Sequence, residues 1–160
     1  MAAGSVVQTL ISFMRGEKRI KQIALACTGG TAGDAGTIPD TDVESSIMNV
    51  IKGMRLERVD AFPTNGGTAP DEADVFLLED QEVGATQLDL LGCIDGSTTA
   101  YNGLKLIHAT LPRRTYPSNY VPRAGEQYPD KPVITGQLAL KVANQATESA
   151  NWTVVLTFIP

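Results

Sequence analysis

Residues that commonly carry catalysis or bind metal ions are scarce in this sequence. It contains one histidine, His108, and two cysteines, Cys27 and Cys93. Two cysteines are too few for a disulfide framework, and one histidine is too few for most zinc sites. The sequence places no serine, cysteine or acid beside His108 to form a nucleophile constellation. We therefore predict that the chain is not an enzyme, that it uses no metal or cofactor, and that each cysteine is a buried free thiol.

Long apolar runs and a net positive charge are also absent. No run of about 18 apolar residues is present, so we expect no membrane-spanning helix. Residues 1–14 lack the basic start and the cleavage site of a secretory signal. The 13 basic and 18 acidic residues give a net charge of −5, whereas nucleic-acid binding favours a basic surface. We therefore predict that neither a membrane nor a nucleic acid is a partner.

The charges are unevenly distributed along the chain. Residues 34–95 are acidic overall, with 3 basic and 14 acidic residues. Two other segments are basic: residues 15–21, with 4 basic residues and 1 acidic residue, and residues 105–131, with 5 basic and 2 acidic residues. One interpretation is that these are solvated loop charges, and the alternative is that acidic and basic faces of different copies complement each other. One group of carboxylates lacks the spacing of a calcium loop, so we interpret it as a solvated acidic rim: Asp71, Glu72, Asp74, Glu79, Asp80 and Glu82.

Frequent turn residues between short apolar runs favour an all-β fold. With 15 glycines and 9 prolines, the chain is typical of one antiparallel β-sandwich or jelly-roll-like domain with long loops, spanning residues 1–160. The apolar positions shift phase within residues 54–62, which predicts a β-bulge. The predicted strands are 5–13, 19–27, 54–62, 73–78, 104–109, 134–142 and 152–158, and residues 87–91 are predicted to form a short strand or a turn.

Two segments have a periodicity that bears on their structure. Within residues 42–52, apolar residues recur at every fourth position: Val43, Ile47 and Ile51. The alternative interpretation is a strand joined to the next one, but this spacing favours one short helix or turn. Asp42 is its predicted cap, and Gly53 is expected to end it. Near the end of the chain, residues 134–142 and 152–158 alternate between apolar and polar side chains. Because they flank a polar linker, we predict that these two strands form a terminal hairpin.

Two further segments are candidates for contact with a partner. Residues 1–5 are a candidate N-terminal arm. Residues 112–132 contain five prolines and three tyrosines, which predicts an extended loop rather than a helix or central strand. Arginine and aromatic side chains are common anchors of protein interfaces. The predicted contact residues of this loop are Arg113, Arg114, Tyr116, Tyr120, Arg123 and Tyr128.

A series of short motifs gives the chain a resemblance to a known family. In order they are GSV at 4–6, KRIK at 18–21, a glycine-rich loop at 29–36, a Pro/Gly/Asp loop at 63–71, DVFLLED at 74–80, LDLLG at 88–92, PVITGQL at 132–138 and WTVVL at 152–156. This order resembles a family of small virion proteins of tailed bacteriophages and prophages. The resemblance covers most of the chain, and its motifs are structural, so it carries over no catalytic residues.

The resemblance implies a β-sandwich or jelly-roll subunit of a virion that is assembled in the host cytoplasm. The function it implies is capsid decoration: a cement protein, expected to be a homotrimer, that binds the major capsid protein and stabilises its lattice. A neck, tail or fibre-base component is the alternative within the same family. A carbohydrate-binding module is an alternative of another class, although aromatic residues make up only 6% of the chain.

Overall fold

The computed structural model describes residues 3–30, 38–68, 70, 74–80, 87–90, 107–109, 133–143, 145 and 147–160. Within these residues the chain forms nine strands and one helix, which confirms the predicted all-β fold. In chain order they are β1 (Ser5–Arg15), β2 (Lys18–Thr28), β3 (Ile38–Asp42), α1 (Ser45–Ile51), β4 (Arg55–Pro63), β5 (Asp74–Asp80), β6 (Gln87–Asp89), β7 (Ile107–Ala109), β8 (Leu138–Ala143) and β9 (Asn151–Ile159).

The strands form two antiparallel sheets with the strand order of a jelly roll. The first sheet has the order β1-β2-β9-β4-β7 and the second has the order β3-β8-β5-β6. β2 pairs with β9, β3 with β8, β4 with β7 and β5 with β6, so these strands pair from the outer ends of the chain inward. Eight strands arranged in this way form a double-sheet jelly roll. β1 is an additional strand at the edge of the first sheet.

The hydrophobic core lies between the two sheets. In β9, alternate side chains are buried and the residues between them are half-buried on the opposite face, as the period-two pattern of a strand requires. The first sheet contributes Trp152, Val154, Leu156 and Phe158 from β9, and the second contributes Leu138, Leu140 and Val142 from β8. Burial of each large apolar side chain stabilises the fold by about 1.5–3 kcal/mol.

The predicted terminal hairpin is wrong. β8 lies in the second sheet between β3 and β5, whereas β9 lies in the first sheet between β2 and β4. The alternating pattern shows only which side chains face the core, and a strand of either sheet satisfies it. The chain therefore passes from one sheet to the other between the two strands.

The predicted short helix is confirmed as α1, which buries Ile47, Met48 and Ile51. Asp42 is not its cap, because Asp42 ends β3 and the N-cap position is Glu44, whose side chain makes no capping hydrogen bond. Gly53 ends the helical segment as expected, in the left-handed conformation at a φ of 85°.

The described part of the chain includes no helix that is both long and apolar enough to cross a membrane.

A register shift in β4 agrees with the predicted β-bulge. Leu56 pairs with Phe158 and Arg58 pairs with Thr157, which leaves one extra residue in β4 between them. The extra residue reverses the alternation, so that both Leu56 and Val59 are buried in the core.

Candidate interaction surface

The contact residues predicted from the sequence lie outside the described residues: Arg113, Arg114, Tyr116, Tyr120, Arg123 and Tyr128. The whole of the 112–132 loop also lies outside them. Of the predicted N-terminal arm, Ser5 belongs to β1 and pairs with Thr28. The described part of the chain offers a different surface, formed by the hairpin of β1 and β2.

β1 is an edge strand in the part of the sheet that the structure describes. Within the described residues, β2 is its only strand partner. One edge of β1 therefore presents backbone N–H and C=O groups that can pair with another chain. Residues 5–14 include no charged residue and no proline, the residues that commonly protect such edges from pairing. The sequence of β1 thus favours association through its free edge.

In the described part of the chain, most of the exposed large hydrophobic side chains lie on β1. Four of the five belong to this strand, with exposed fractions of 66% for Val7, 58% for Met14, 43% for Ile11 and 41% for Phe13. From Ile11 to Arg19 every residue is exposed. The distal half of the hairpin therefore projects beyond the core. The sequence does contain a signal for this exposure, because β1 has apolar residues at both odd and even positions. Only the side chains on one face of a strand can be directed towards the core, so the apolar residues on the other face are exposed.

The strand register divides the hairpin into two faces. The outer face, directed away from the core, carries Val7, Thr9, Ile11 and Phe13. The inner face is on the same side as the core and carries Gln8, Leu10, Ser12 and Met14 from β1, with Arg19 and Lys21 opposite Met14 and Ser12 on β2. Lys21 Nζ donates a hydrogen bond to Ser12 Oγ at 2.6 Å, which places both side chains on the inner face.

The tip of the hairpin is basic. Four basic residues and one acidic residue within positions 15–21 give it a charge of 4 − 1 = +3. Gly16 makes the turn with a φ of 62°, a conformation that glycine adopts without strain. The tip therefore combines positive charge with the exposed side chains of Phe13 and Met14, a composition that suits a protein partner with acidic residues.

An acidic edge lies beside the base of the hairpin. Gln8 Nε2 donates to the carbonyl oxygen of Asp42 at 2.8 Å, and Gln8 Oε1 accepts the backbone N–H of Glu44 at 2.9 Å. Asp42, Glu44 and the nearby Asp40 are exposed. In one copy, Gln8 and Arg15 are separated by seven positions of extended strand, roughly 23 Å. The basic tip and the acidic edge of one copy are therefore too far apart to pair with each other.

The predicted solvated acidic rim is wrong at Glu79, which is only 5% exposed. Its Oε1 accepts the backbone N–H groups of Thr135 at 2.7 Å and Gly136 at 2.9 Å. This carboxylate fastens β5 to the segment that leads into β8. Asp80 is exposed at the end of β5, and Asp71, Glu72 and Glu82 lie outside the described residues.

Among the residues described, no group of three His, Cys, Asp or Glu side chains is placed to hold a metal ion.

Cys27 is a buried free thiol, as predicted. Burial raises the pKa of its thiol from 9.0 to about 12, because the surrounding core disfavours the charged thiolate. A thiol in this environment is unsuited to act as a nucleophile near neutral pH. Cys93 lies outside the described residues.

β7 places His108 opposite Asp60 of β4 in the strand register. This acidic neighbour is 48 positions away along the chain, so sequence spacing does not reveal it. Asp60 is buried, and Arg58 Nε lies 2.6 Å from its Oδ2. Arg58 and Asp60 form an ion pair two positions apart on the same strand, a structural arrangement on the side of the sheet away from the core.

Comparisons of the chain with protein-family models, with curated proteins and with solved structures find no match. The functional assignment of the surface therefore depends on its geometry: an edge strand with no charge from Ser5 to Met14 and with exposed apolar side chains, a basic tip and an acidic edge. Features of this kind are common in surfaces that bind other proteins.

Proposed function

We propose that this chain is a structural protein of a tailed-bacteriophage virion, most specifically a capsid decoration protein. It would bind the major capsid protein and stabilise the capsid lattice. The observation that carries the assembly function is β1, an edge strand whose exposed apolar side chains project beyond the core. The virion location and the homotrimeric state rest on the resemblance of the short sequence motifs.

The jelly-roll strand order supports this proposal, because viral capsid domains commonly have this fold. Lectin domains share the fold, so the fold alone does not select the partner. Sugar-binding surfaces generally present aromatic rings, whereas Phe13 is the one exposed aromatic side chain in the part of the chain that the structure describes. The described surface therefore favours a protein partner over a carbohydrate.

A decoration protein must keep its shape while its edges bind neighbouring subunits. Two features of the structure supply this rigidity. The buried apolar side chains of the two sheets form one cluster between them. The Glu79 carboxylate also joins β5 to the segment that precedes β8. For the capsid contact itself, we propose the arginine and tyrosine residues that the sequence predicts within residues 112–132.

Quantitative mass spectrometry of purified virions tests the location. A copy number near that of the major capsid protein would support decoration of the shell. A small number of copies per particle would instead support the neck, tail or fibre-base alternative. If the chain is absent from the purified particles, the virion proposal is wrong.

Binding to shells tests the function directly. Purified chain is added to capsids that lack it, and the retained protein is measured after sedimentation. The wild-type chain should saturate at a fixed ratio to the major capsid protein and raise the temperature at which the shells rupture. The double variant Tyr116→Ala and Tyr120→Ala should bind more weakly, whereas Asn49→Ala, at an exposed position of α1 outside the hairpin, is the control.

A further inference from the structure

We infer that the free edge of β1 pairs antiparallel with β1 of a second copy of this chain, around a twofold axis near Ile11. The inference goes beyond the proposed function and does not depend on a virion. It replaces the homotrimer that the sequence resemblance implies, so only one of these two assembly states can be correct. The first argument is chemical: residues 5–14 are uncharged and free of proline, and nothing in them opposes pairing with another strand.

The second argument is the match of the two faces. A twofold axis perpendicular to the sheet relates two antiparallel strands and keeps their outer faces on the same side. Odd-numbered residues of β1 in one copy therefore lie opposite odd-numbered residues of β1 in the other copy. Centred on Ile11, the pairing places Thr9 opposite Phe13 of the second copy. It also places Gln8 opposite Met14. On the outer face, Ile11 then lies opposite Ile11 of the second copy, and Phe13 of each copy is a diagonal neighbour of Ile11 of the other copy.

The third argument is charge complementarity. In the hairpin register, Arg19 lies next to Met14, on the inner face. The proposed pairing brings Met14 of one copy beside Gln8 of the other. Arg19, the neighbour of Met14 on β2, therefore lies on the same face as Gln8 of the other copy, one strand further away. Gln8 is hydrogen bonded to the backbone of Asp42 and Glu44, whose side chains are exposed. The basic tip of each copy therefore reaches the acidic edge of the other copy, and the twofold axis repeats this contact.

Disulfide trapping tests the register. In a Cys93→Ser background, Ile11→Cys places two thiols on the twofold axis, within the Cα separation of 4.4–6.8 Å that a disulfide allows. Val7→Cys is the control, because Val7 is more exposed than Ile11 (66% against 43%). In the proposed dimer the two copies of Val7 are offset by eight strand positions, roughly 26 Å. Under mild oxidation, Ile11→Cys should form covalent dimers at least about tenfold faster than Val7→Cys.

Charge exchange tests the contact between the tip and the acidic edge. Arg19→Glu and Glu44→Lys should each weaken dimerisation roughly tenfold, and the double variant should recover most of that loss. Added salt should weaken the wild-type dimer but not the covalent Ile11→Cys dimer. Circular dichroism of each variant establishes that its fold is intact.

Light scattering of the purified wild-type chain supplies the deciding mass. The mass of two chains, together with preferential trapping through Ile11→Cys, supports the twofold pairing of β1. A monomer at high concentration, the mass of three chains, or equal trapping rates for Ile11→Cys and Val7→Cys would overturn it. Each of these outcomes is independent of whether the chain is found in virions.

Discussion

Glu79 accepts a hydrogen bond from the backbone N–H of Gly136 at 2.9 Å, and this contact joins β5 to the segment that precedes β8. The two segments are in close contact here. A Cβ atom on Gly136 would overlap the carbonyl oxygen of Asp80, and the Asp80 N–H donates to the carbonyl oxygen of Gln137 at 2.9 Å. A buried carboxylate and a glycine therefore depend on each other at the same place in the second sheet.

We expect Glu79→Gln to destabilise the fold by about 1–3 kcal/mol, because both backbone N–H groups donate to one carboxylate oxygen, and hydrogen bonds to a charged acceptor are stronger than hydrogen bonds to a neutral amide oxygen. The measurement is urea unfolding, followed by the fluorescence of Trp152, the single tryptophan, which is buried. Glu17→Gln in the exposed hairpin turn is the control and should change stability by less than about 0.5 kcal/mol. Equal stabilities of the two variants would contradict a structural role for Glu79.

Gly136→Ala is expected to cost about 3 kcal/mol or more, at the upper end of the range for overpacking, because the obstacle is backbone rather than a flexible side chain. Gly16→Ala is the matched comparison. Gly16 has a positive φ but open space around it, so alanine there should cost about 1–2 kcal/mol of backbone strain. Urea unfolding of both variants tests the difference, and a smaller loss at Gly136 than at Gly16 would refute the close approach of the two segments.

Much of the fold could be predicted because local patterns determine it. The alternation in β9, the four-residue spacing in α1 and the phase shift in β4 each depend on neighbouring residues, and each was identified correctly. The sequence does not predict β3, because this strand is five residues long, contains Pro39 and buries only Ile38 completely. The placement of β8 and β9 in different sheets depends on pairings between residues that are far apart in the chain, which alternation does not encode.

The candidate surface was harder to predict than the fold, for a similar reason. The basic cluster at residues 15–21 and the acidic middle of the chain are visible in the sequence. Their arrangement around the free edge of β1 depends on strand order and on the hydrogen bonds of Gln8. Glu79 was assigned to a solvated rim because its acidic neighbours in sequence indicate exposure, whereas the two backbone N–H groups that stabilise its burial lie 56 and 57 positions away.

Cys27 predicts a specific dependence of stability on pH. Its thiol has a pKa of about 12 in the folded chain, against 9.0 for an ordinary thiol, so the folded state keeps the proton that the unfolded state loses. The resulting stabilisation is full below pH 9 and is lost as the pH rises from 9 towards 12, by up to about 1.4 kcal/mol per pH unit. In a Cys93→Ser background, the unfolding free energy should therefore fall more steeply above pH 9 than it does in the Cys27→Ala variant.

The same burial predicts low reactivity. At pH 8 the native Cys93→Ser chain should react with a thiol reagent many times more slowly than the chain unfolded in urea, because burial both restricts access and suppresses the thiolate. The Cys27→Ala, Cys93→Ser double variant gives the background rate. Equally fast reaction of the native and unfolded chains would show that Cys27 is accessible.

Gln8→Ala tests the link between the edge strand and the second sheet. The substitution removes two hydrogen bonds, from Gln8 Nε2 to the Asp42 carbonyl and from the Glu44 N–H to Gln8 Oε1. We expect a loss of about 1–2 kcal/mol, since both backbone groups can partly regain water as partners. Thr9→Ala, at the next position but on the outer face, is the control and should cost less.

Amide hydrogen exchange at Glu44 separates this explanation from a general loss of stability. If Gln8 fixes the start of α1, the Glu44 amide should lose protection in Gln8→Ala, whereas the amides of β9 should change only with global stability. The same variant should also weaken dimerisation through β1, because Asp42 and Glu44 would no longer be held beside the edge. Weakened dimerisation with an unchanged Glu44 amide would mean that Gln8 contacts the second copy directly, and that the acidic edge is positioned by other residues.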